Sequence, residues 1–490
     1  MAMKVLSSTS ELFPFIKTGG LADVTGALPK ALGAFGVEVK TVLPGYPQVM
    51  PLLSDNPPLV VFNDLFGERA ALHHVSAEGL DLFVIDAPAL FDRSGGPYVD
   101  ACGIDYPDNW KRFASLSLVT AEIANGLLPG WGPDIVHTHD WQSALTSVYM
   151  RQAGCSTPVV LTVHNLAFQG QYPAYLLGAL GLSPNTYTID GLEYYGDISY
   201  LKGGLTTADA ITTVSPTYAR EILAPRFGMG LQGVLRKRAG ILRGIVNGID
   251  RDIWNPETDH NLPVNYTVHD IDRKSANRLP LLERFNLDRD DGPVFAAVSR
   301  LTWQKGMDIL VEVSGEIVSR GGKLIVLGQG DRSIEEALVA SAACFPGRMA
   351  VELGYCEADA HLIHAGSDII VQPSRFEPCG LTQLYALRYG TIPVVSRTGG
   401  LAETIIDAND AAISAGVATG FQFDPVDGSG LRDGIHRAYD AWRIPSIWRR
   451  LQKQAMQADF SWQRSAGQYA ELYLELQKRH VRTEQRLVVA

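Results

Sequence analysis

Apolar residues cluster into short runs along the first half of the chain, at residues 5–8, 37–43, 82–86, 134–137, 159–164 and 210–214. Between most of these runs the apolar positions recur at helical spacing, as in residues 21–35, 110–127 and 141–152. Strands alternating with helices predict a parallel sheet covered on both faces. Residues 59–75 carry no clear helical pattern and predict a hairpin or edge strands. The alternation loosens after Ile245, where Asn247-Gly248-Ile249-Asp250 reads as a turn and the polar, proline-containing stretch from Trp254 to Tyr266 reads as a linker. A second series of strand-like runs follows at 294–298, 323–327, 349–353, 368–372 and 392–395, again separated by helical segments. After Trp442 the pattern is helical without strands, in segments 442–457 and 461–479 that are expected to return and brace the first half.

The expected fold class is α/β, with two doubly wound, Rossmann-like domains facing a cleft. The expected bounds are 1–250 for the N-terminal domain, 251–458 for the C-terminal domain, and 459–490 for a helix returning to the first. Two domains suit the length, since 490 residues exceed a single core at roughly 150 residues per domain.

Composition narrows the function classes. With 46% hydrophobic and 19% charged residues and no low-complexity tract, the chain is expected to fold throughout. A formal charge of -11 argues against general nucleic-acid binding, while leaving room for a small anion in a local basic pocket. The first residues enter a strand-like run without the features of an export signal, and no apolar run approaches the ~20 residues that cross a bilayer. A cytoplasmic protein without membrane contact is expected. Cys102, Cys155, Cys344, Cys356 and Cys379 are scattered, odd in number and never spaced as C-x-x-C, so they read as reduced thiols.

In an open α/β sheet, ligands bind beyond the carboxyl ends of the strands. Lys17-Thr18-Gly19-Gly20 follows the first strand, His137-Thr138-His139-Asp140 the fourth, and His164-Asn165 the next. Ser299-Arg300, Gly328-Gln329-Gly330, Gly354-Tyr355, residues 373–380 and Thr398-Gly399-Gly400 take the matching places in the second half. The run Thr-Gly-Gly-Leu-Ala occurs twice, at 18–22 and 398–402, followed by Asp23 and Glu403 respectively. Paired glycines opening a helix present bare backbone N–H groups to a phosphate or a sugar oxygen.

Arg300 and Lys305 stand between a strand end and a helix start, where both could reach one diphosphate; the alternative is a solvated surface pair. In Arg375-Phe376-Glu377-Pro378-Cys379-Gly380-Leu381-Thr382, the Leu381 and Thr382 amides open a predicted helix and Glu377 could meet positive charge developing on a sugar. Glu377 could equally cap that helix or pair with an arginine. His137 and His139 project to one side of a strand, as metal ligands do, but Asp270, Asp272, Asp288 and Asp290 lie in polar connections without convincing spacing, so no metal is expected. His164 alone reads as readily as a structural histidine as a catalyst. Cys379 lacks the partners of a thiol nucleophile and reads as a lining residue. Tyr355 either stacks on a base or fills the wall.

Together, Lys17-Thr18-Gly19-Gly20-Leu21-Ala22-Asp23-Val24, Asp190-Gly191-Leu192-Glu193-Tyr194-Tyr195, His139-Asp140-Trp141, Asn247-Gly248-Ile249-Asp250 with Trp254-Asn255-Pro256, the 300–306 run and the 374–382 run resemble the bacterial glycogen synthases and plant starch synthases. The similarity runs almost end to end. It implies the glycosyltransferase B architecture and transfer of glucose from ADP-glucose to the nonreducing end of an α-1,4-glucan, glycogen, with retention of configuration and no cofactor. It further implies that Lys17 and the Gly20 backbone contact the donor diphosphate, with Arg300, Lys305 and the Leu381 and Thr382 amides on its other side. Glu377, Cys379 and Gly380 would surround the glucose, Asn247 and His164 its hydroxyls, Asp140 the catalytic wall and Tyr355 the adenine; Asp23 is grouped with the substrate-binding residues. More distant retaining transferases carry a second acid that would fall at Tyr385, so Glu377 has no paired acid from that helix. A UDP-glucose-using synthase, a phosphorylase-like enzyme with a lysine-bound pyridoxal phosphate, and an idle sugar-nucleotide or glucan-binding protein are the alternatives.

Overall fold

The computed structural model describes residues 2–54 and 56–489. The chain divides into two compact units, Met1–Gly248 with Trp462–Ala490, and Ile249–Ser461.

In the first unit the sheet runs, edge to edge, Leu242–Gly244, Ala210–Thr213, Val159–Val163, Ile135–His139, Met3–Ser8, Val37–Pro44, Leu80–Asp86, Glu68–Ala77 and Val60–Leu65. Pairing is parallel as far as Leu80–Asp86 and antiparallel in the last hairpin, whose two strands occupy the stretch without helical periodicity. Alternate side chains feed two cores. Leu6 packs with Phe113, Leu116, Leu145 and Leu201 from the helices on one face. Met3 and Val5 pack on the other with Val24 and Leu28 of helix Gly20–Gly33 and with Trp462, Tyr469 and Tyr473 of the last helix.

In the second unit the sheet is parallel throughout, in the order Met349–Leu353, Lys323–Gly328, Val294–Val298, Ile369–Gln372, Ile392–Ser396 and Phe421–Phe423. Each sheet has a topological switch point, where consecutive connections leave in opposite directions and open a crevice at the strands' carboxyl ends. It lies between Met3–Ser8 and Ile135–His139 in the first unit, and between Val294–Val298 and Ile369–Gln372 in the second.

Two expectations change. The 442–457 segment does not brace the first half: Gly428–Trp442 is a helix in its own right, Pro445 starts another at Pro445–Gln457, and Trp448, Leu451 and Ala455 of the latter bury against Leu384 and Leu387 in the core of the second unit. Helix Trp462–Val489 alone joins the first unit. A small antiparallel sheet of Gln171–Pro173, Asp197–Ser199 and Glu193–Tyr194 was not foreseen, because strands so short show no periodicity. Among the described residues no helix is long and apolar enough to cross a membrane.

Candidate active site

At the first unit's switch point, the chain leaves strand Met3–Ser8 through Glu11 before reaching Lys17. Glu11 is buried, and its carboxylate accepts hydrogen bonds from the Thr18 N–H at 2.6 Å, the Thr18 hydroxyl at 2.6 Å, the Gly19 N–H at 3.1 Å and the Tyr98 hydroxyl at 2.5 Å. The Thr18 and Gly19 amides are therefore not bare, which corrects the first reading of this loop. What remains for a ligand is the Gly20 end, where Gly19 is the N-cap without a side-chain cap. Lys17 Nζ lies 2.7 Å from Asp23 Oδ1, so Asp23 aims the lysine across the helix start. Sequence reasoning missed Glu11; its ties to the loop form across the Leu12–Ile16 bridge and to Tyr98, neither of which leaves a periodic signal.

The neighbouring strand, Ile135–His139, delivers Asp140 as the first residue of helix Asp140–Gln152, with φ 55°, a left-handed backbone that marks a constrained position. Asp140 Oδ1 accepts from the His164 N–H at 2.7 Å and more weakly from the Asn165 N–H at 3.4 Å. Burial raises the Asp140 carboxyl to about 7, against those two bonds and helped by the nearby Glu11 charge. His164 Nε2 is 3.1 Å from His139 Nδ1, and burial lowers His164 to about 3, so its imidazole is neutral at pH 7. Asn247, just before the chain leaves this unit, is buried with its Oδ1 lacking a hydrogen-bond partner.

At the second unit's switch point, the 300–306 and 373–380 loops are fastened together. Gly306 has φ 67°, and a Cβ there would lie 2.0 Å from the Pro373 carbonyl oxygen. The Arg375 N–H donates to the Gln304 carbonyl at 2.9 Å, while its guanidinium makes two 2.7 Å bonds to Asp308 and stacks 4.4 Å from the Trp303 ring. Arg375 holds the Asp308 carboxyl below the usual carboxylate range. Lys305 Nζ lies 2.5 Å from Glu377 Oε2, which also accepts from the Ser374 hydroxyl at 3.1 Å. The acid thus pairs with Lys305, not with the adjacent arginine, and helix Thr382–Arg388 has no side-chain cap. Arg300 is exposed and makes no ion pair among the described residues.

Behind Glu377 stands the second Thr-Gly-Gly-Leu-Ala run. The Gly400 N–H donates to the Glu377 carbonyl at 2.9 Å, and a Cβ on Gly400 would lie 2.1 Å from the Cys379 carbonyl oxygen. This copy is a backing for the acid loop and not an open amide nest. Gln383 Nε2 closes the turn by donating to the carbonyls of Cys379 at 3.0 Å and Gly380 at 2.9 Å. Cys379 is buried, and Gly380, Leu381 and Thr382 lead from it into the helix. The Gly354 N–H bonds the Gly328 carbonyl at 3.0 Å, placing exposed Tyr355 beside the glycine turn that abuts residues 299–301. Tyr385 stacks on Trp254, with centroids 3.7 Å apart.

The described residues contain no group of three or more His, Cys, Asp or Glu placed to hold a metal ion. His137 bonds Thr162 and Tyr473, while Asp288 and Asp290 pair with Arg348.

Residues 4–237 match the starch synthase catalytic domain family, and residues 282–454 match glycosyl transferases group 1. Over 475 residues the chain is 58% identical to a glycogen synthase of Rhizobium etli, covering 97% of this chain and 99% of that protein. The chain belongs to the glycogen synthase family. Glycogen synthase 2 of Rhizobium meliloti (strain 1021) is 57% identical, across 97% of this chain and 98% of its own. Among solved structures, the catalytic domain of starch synthase IV from Arabidopsis thaliana, bound to ADP and acarbose, superimposes with a TM-score of 0.86 at 31% identity, covering 98% of this chain and 100% of that one. This glycogen synthase family member has the two-unit α/β architecture of the B-type glycosyltransferases and is a glycosyltransferase.

Proposed function

We propose that the protein transfers glucose from ADP-glucose to the nonreducing end of an α-1,4-glucan, elongating glycogen with retention of configuration. The observation that carries this reading is the second unit's switch point, where the exposed, unpaired Arg300 stands in the loop whose Lys305 pairs with Glu377 of the neighbouring loop. Breaking the bond between glucose and ADP leaves negative charge on the diphosphate and positive character on the sugar, so preorganised cations and a carboxylate serve the two ends of one transition state. In this reading Lys17, the Gly20 amide and Arg300 neutralise the diphosphate. Lys305, anchored by Glu377, turns its remaining N–H donors to the same phosphates. The Leu381 and Thr382 amides support them, Glu377, Cys379 and Gly380 surround the glucose, and Tyr355 meets the adenine.

Asp140 and the neutral His164 form the wall beside the sugar, and Asn247, with its unpartnered buried oxygen, accepts from a glucose hydroxyl. The unit 1–250 is assigned to the acceptor and 251–458 to the donor. The proposed setting is the cytoplasm, in keeping with five free thiols. A side-by-side donor assay tests the reading: ADP-glucose is expected to exceed UDP-glucose in kcat/KM by at least about tenfold. A preference for UDP-glucose would overturn the donor assignment.

A further inference from the structure

Helix Trp462–Val489 buries Trp462, Ala466, Tyr469, Tyr473 and Leu476 against the first unit's sheet. Apolar packing accounts for most of that face. Tyr473 differs, because its buried hydroxyl lies 2.7 Å from His137 Nδ1. His137 Nε2 lies 2.6 Å from Thr162 Oγ1, which is itself 2.5 Å from Thr212 Oγ1. The His137 ring packs on His139 with centroids 4.2 Å apart, and His139 Nδ1 lies 3.1 Å from His164 Nε2. The backbone N–H of that same His164 is the one Asp140 holds. A row of polar rings therefore runs from the last helix to the strand ends that carry Asp140 and His164.

Burial lowers His137 to about 3 and His139 well below its usual value, so each ring is neutral with a single N–H to place. Donation by the phenol to His137 Nδ1 would put the His137 proton on Nε2, facing Thr162. A phenylalanine would fill the same apolar space but could not make that choice. A cavity of about 10 Å³ bordered by His137, His139 and Tyr473, about the size of one water, gives the rings room to turn once the hydroxyl is gone.

We infer that Tyr473 is a positioning residue for glucosyl transfer: its hydroxyl fixes the tautomer and plane of His137 and, through His139, the direction in which the His164 imidazole faces the sugar. The inference rests on the reading that His164 and Asp140 wall the reacting sugar.

Steady-state kinetics and histidine imidazole ¹⁵N spectra of the full chain test it, with Leu476→Ala as a packing control on the same helix. Tyr473→Phe is expected to lower kcat about fivefold while KM for ADP-glucose stays within about twofold. The imidazole signals of His137 and His164 are expected to shift in Tyr473→Phe and to stay in place in Leu476→Ala, whose kcat also stays near wild type. An unchanged kcat with an unmoved His164 signal overturns the inference, and so does an equal kcat loss in Leu476→Ala. His164→Ala separates the two levels: wild-type turnover in that variant defeats the underlying reading, whereas a loss there beside an unaffected Tyr473→Phe defeats the positioning role alone.

Discussion

Lys305 Nζ sits 2.5 Å from Glu377 Oε2, joining a cation expected at the phosphates to an acid expected at the sugar. Their side chains are 19% and 6% exposed, so removing either partner strands a charge that solvent reaches poorly. Glu377→Gln is expected to lower kcat about a hundredfold or more, in the range seen when an electrostatic stabiliser is lost. Because the two residues act through one contact, the combined Lys305→Ala/Glu377→Gln variant should depart from additivity in RT ln(kcat/KM) by more than about 1 kcal/mol. Additive effects would show that the pair is not a working unit.

Glu11 carries the order of the Lys17 loop on one carboxylate. In Glu11→Ala, the Thr18 and Gly19 N–H groups and the Thr18 and Tyr98 hydroxyls lose their shared acceptor. The expected cost is about 1–3 kcal/mol in folding stability by denaturant titration, with a rise in KM for ADP-glucose. Wild-type KM in this variant would remove the loop from donor binding.

Asp140 makes stability depend on pH. Its carboxyl is raised by burial to about 7 in the folded chain, above its usual value of 3.8, so the folded state holds a proton that the unfolded chain has released. The resulting stabilisation is fully present below pH 3.8 and is lost as pH rises through about 7. Asp140→Asn keeps an oxygen for the His164 and Asn165 amides and removes the titration. Its melting temperature should therefore fall less than that of wild type between about pH 5 and pH 8. Parallel curves would place the proton elsewhere.

Gly400→Ala tests the backing of the acid loop. A methyl group there meets Cys379 backbone atoms at 2.1, 2.4 and 2.5 Å, with no flexible side chain to give way. Activity is expected to fall about tenfold or more through displacement of Glu377. Gly33→Ala, where a Cβ meets nothing, should leave activity unchanged.

The parallel sheets were legible because their strands are apolar runs bounded by helical periodicity, and Val294–Val298 and Met349–Leu353 fall where the pattern put them. Phe421–Phe423 and the small antiparallel sheet were too short to show in that pattern. Charged residues at strand ends were visible as candidates, but their partners were not. Lys305 could have been solvated or phosphate-facing, and only the close approach of Gly306 to Pro373 brings it to Glu377. The two Thr-Gly-Gly-Leu-Ala runs look alike as sequence and differ in use, since Glu11 occupies amides of the first while Gly400 of the second bonds Glu377. Local sequence carries the glycines; which acceptor meets them, the Glu11 carboxylate or the Glu377 carbonyl, is set by how each loop folds.

Incorporation of labelled glucose from ADP-glucose into glycogen, measured with released ADP in the presence of EDTA, reports on glucosyl transfer itself. One labelled α-1,4-linked glucose at a nonreducing end is expected per ADP released, with the rate lost in Lys17→Ala, Arg300→Ala and Glu377→Ala. ADP release without chain lengthening would rule out glucan elongation, and undiminished transfer in all three variants would remove these residues from the site.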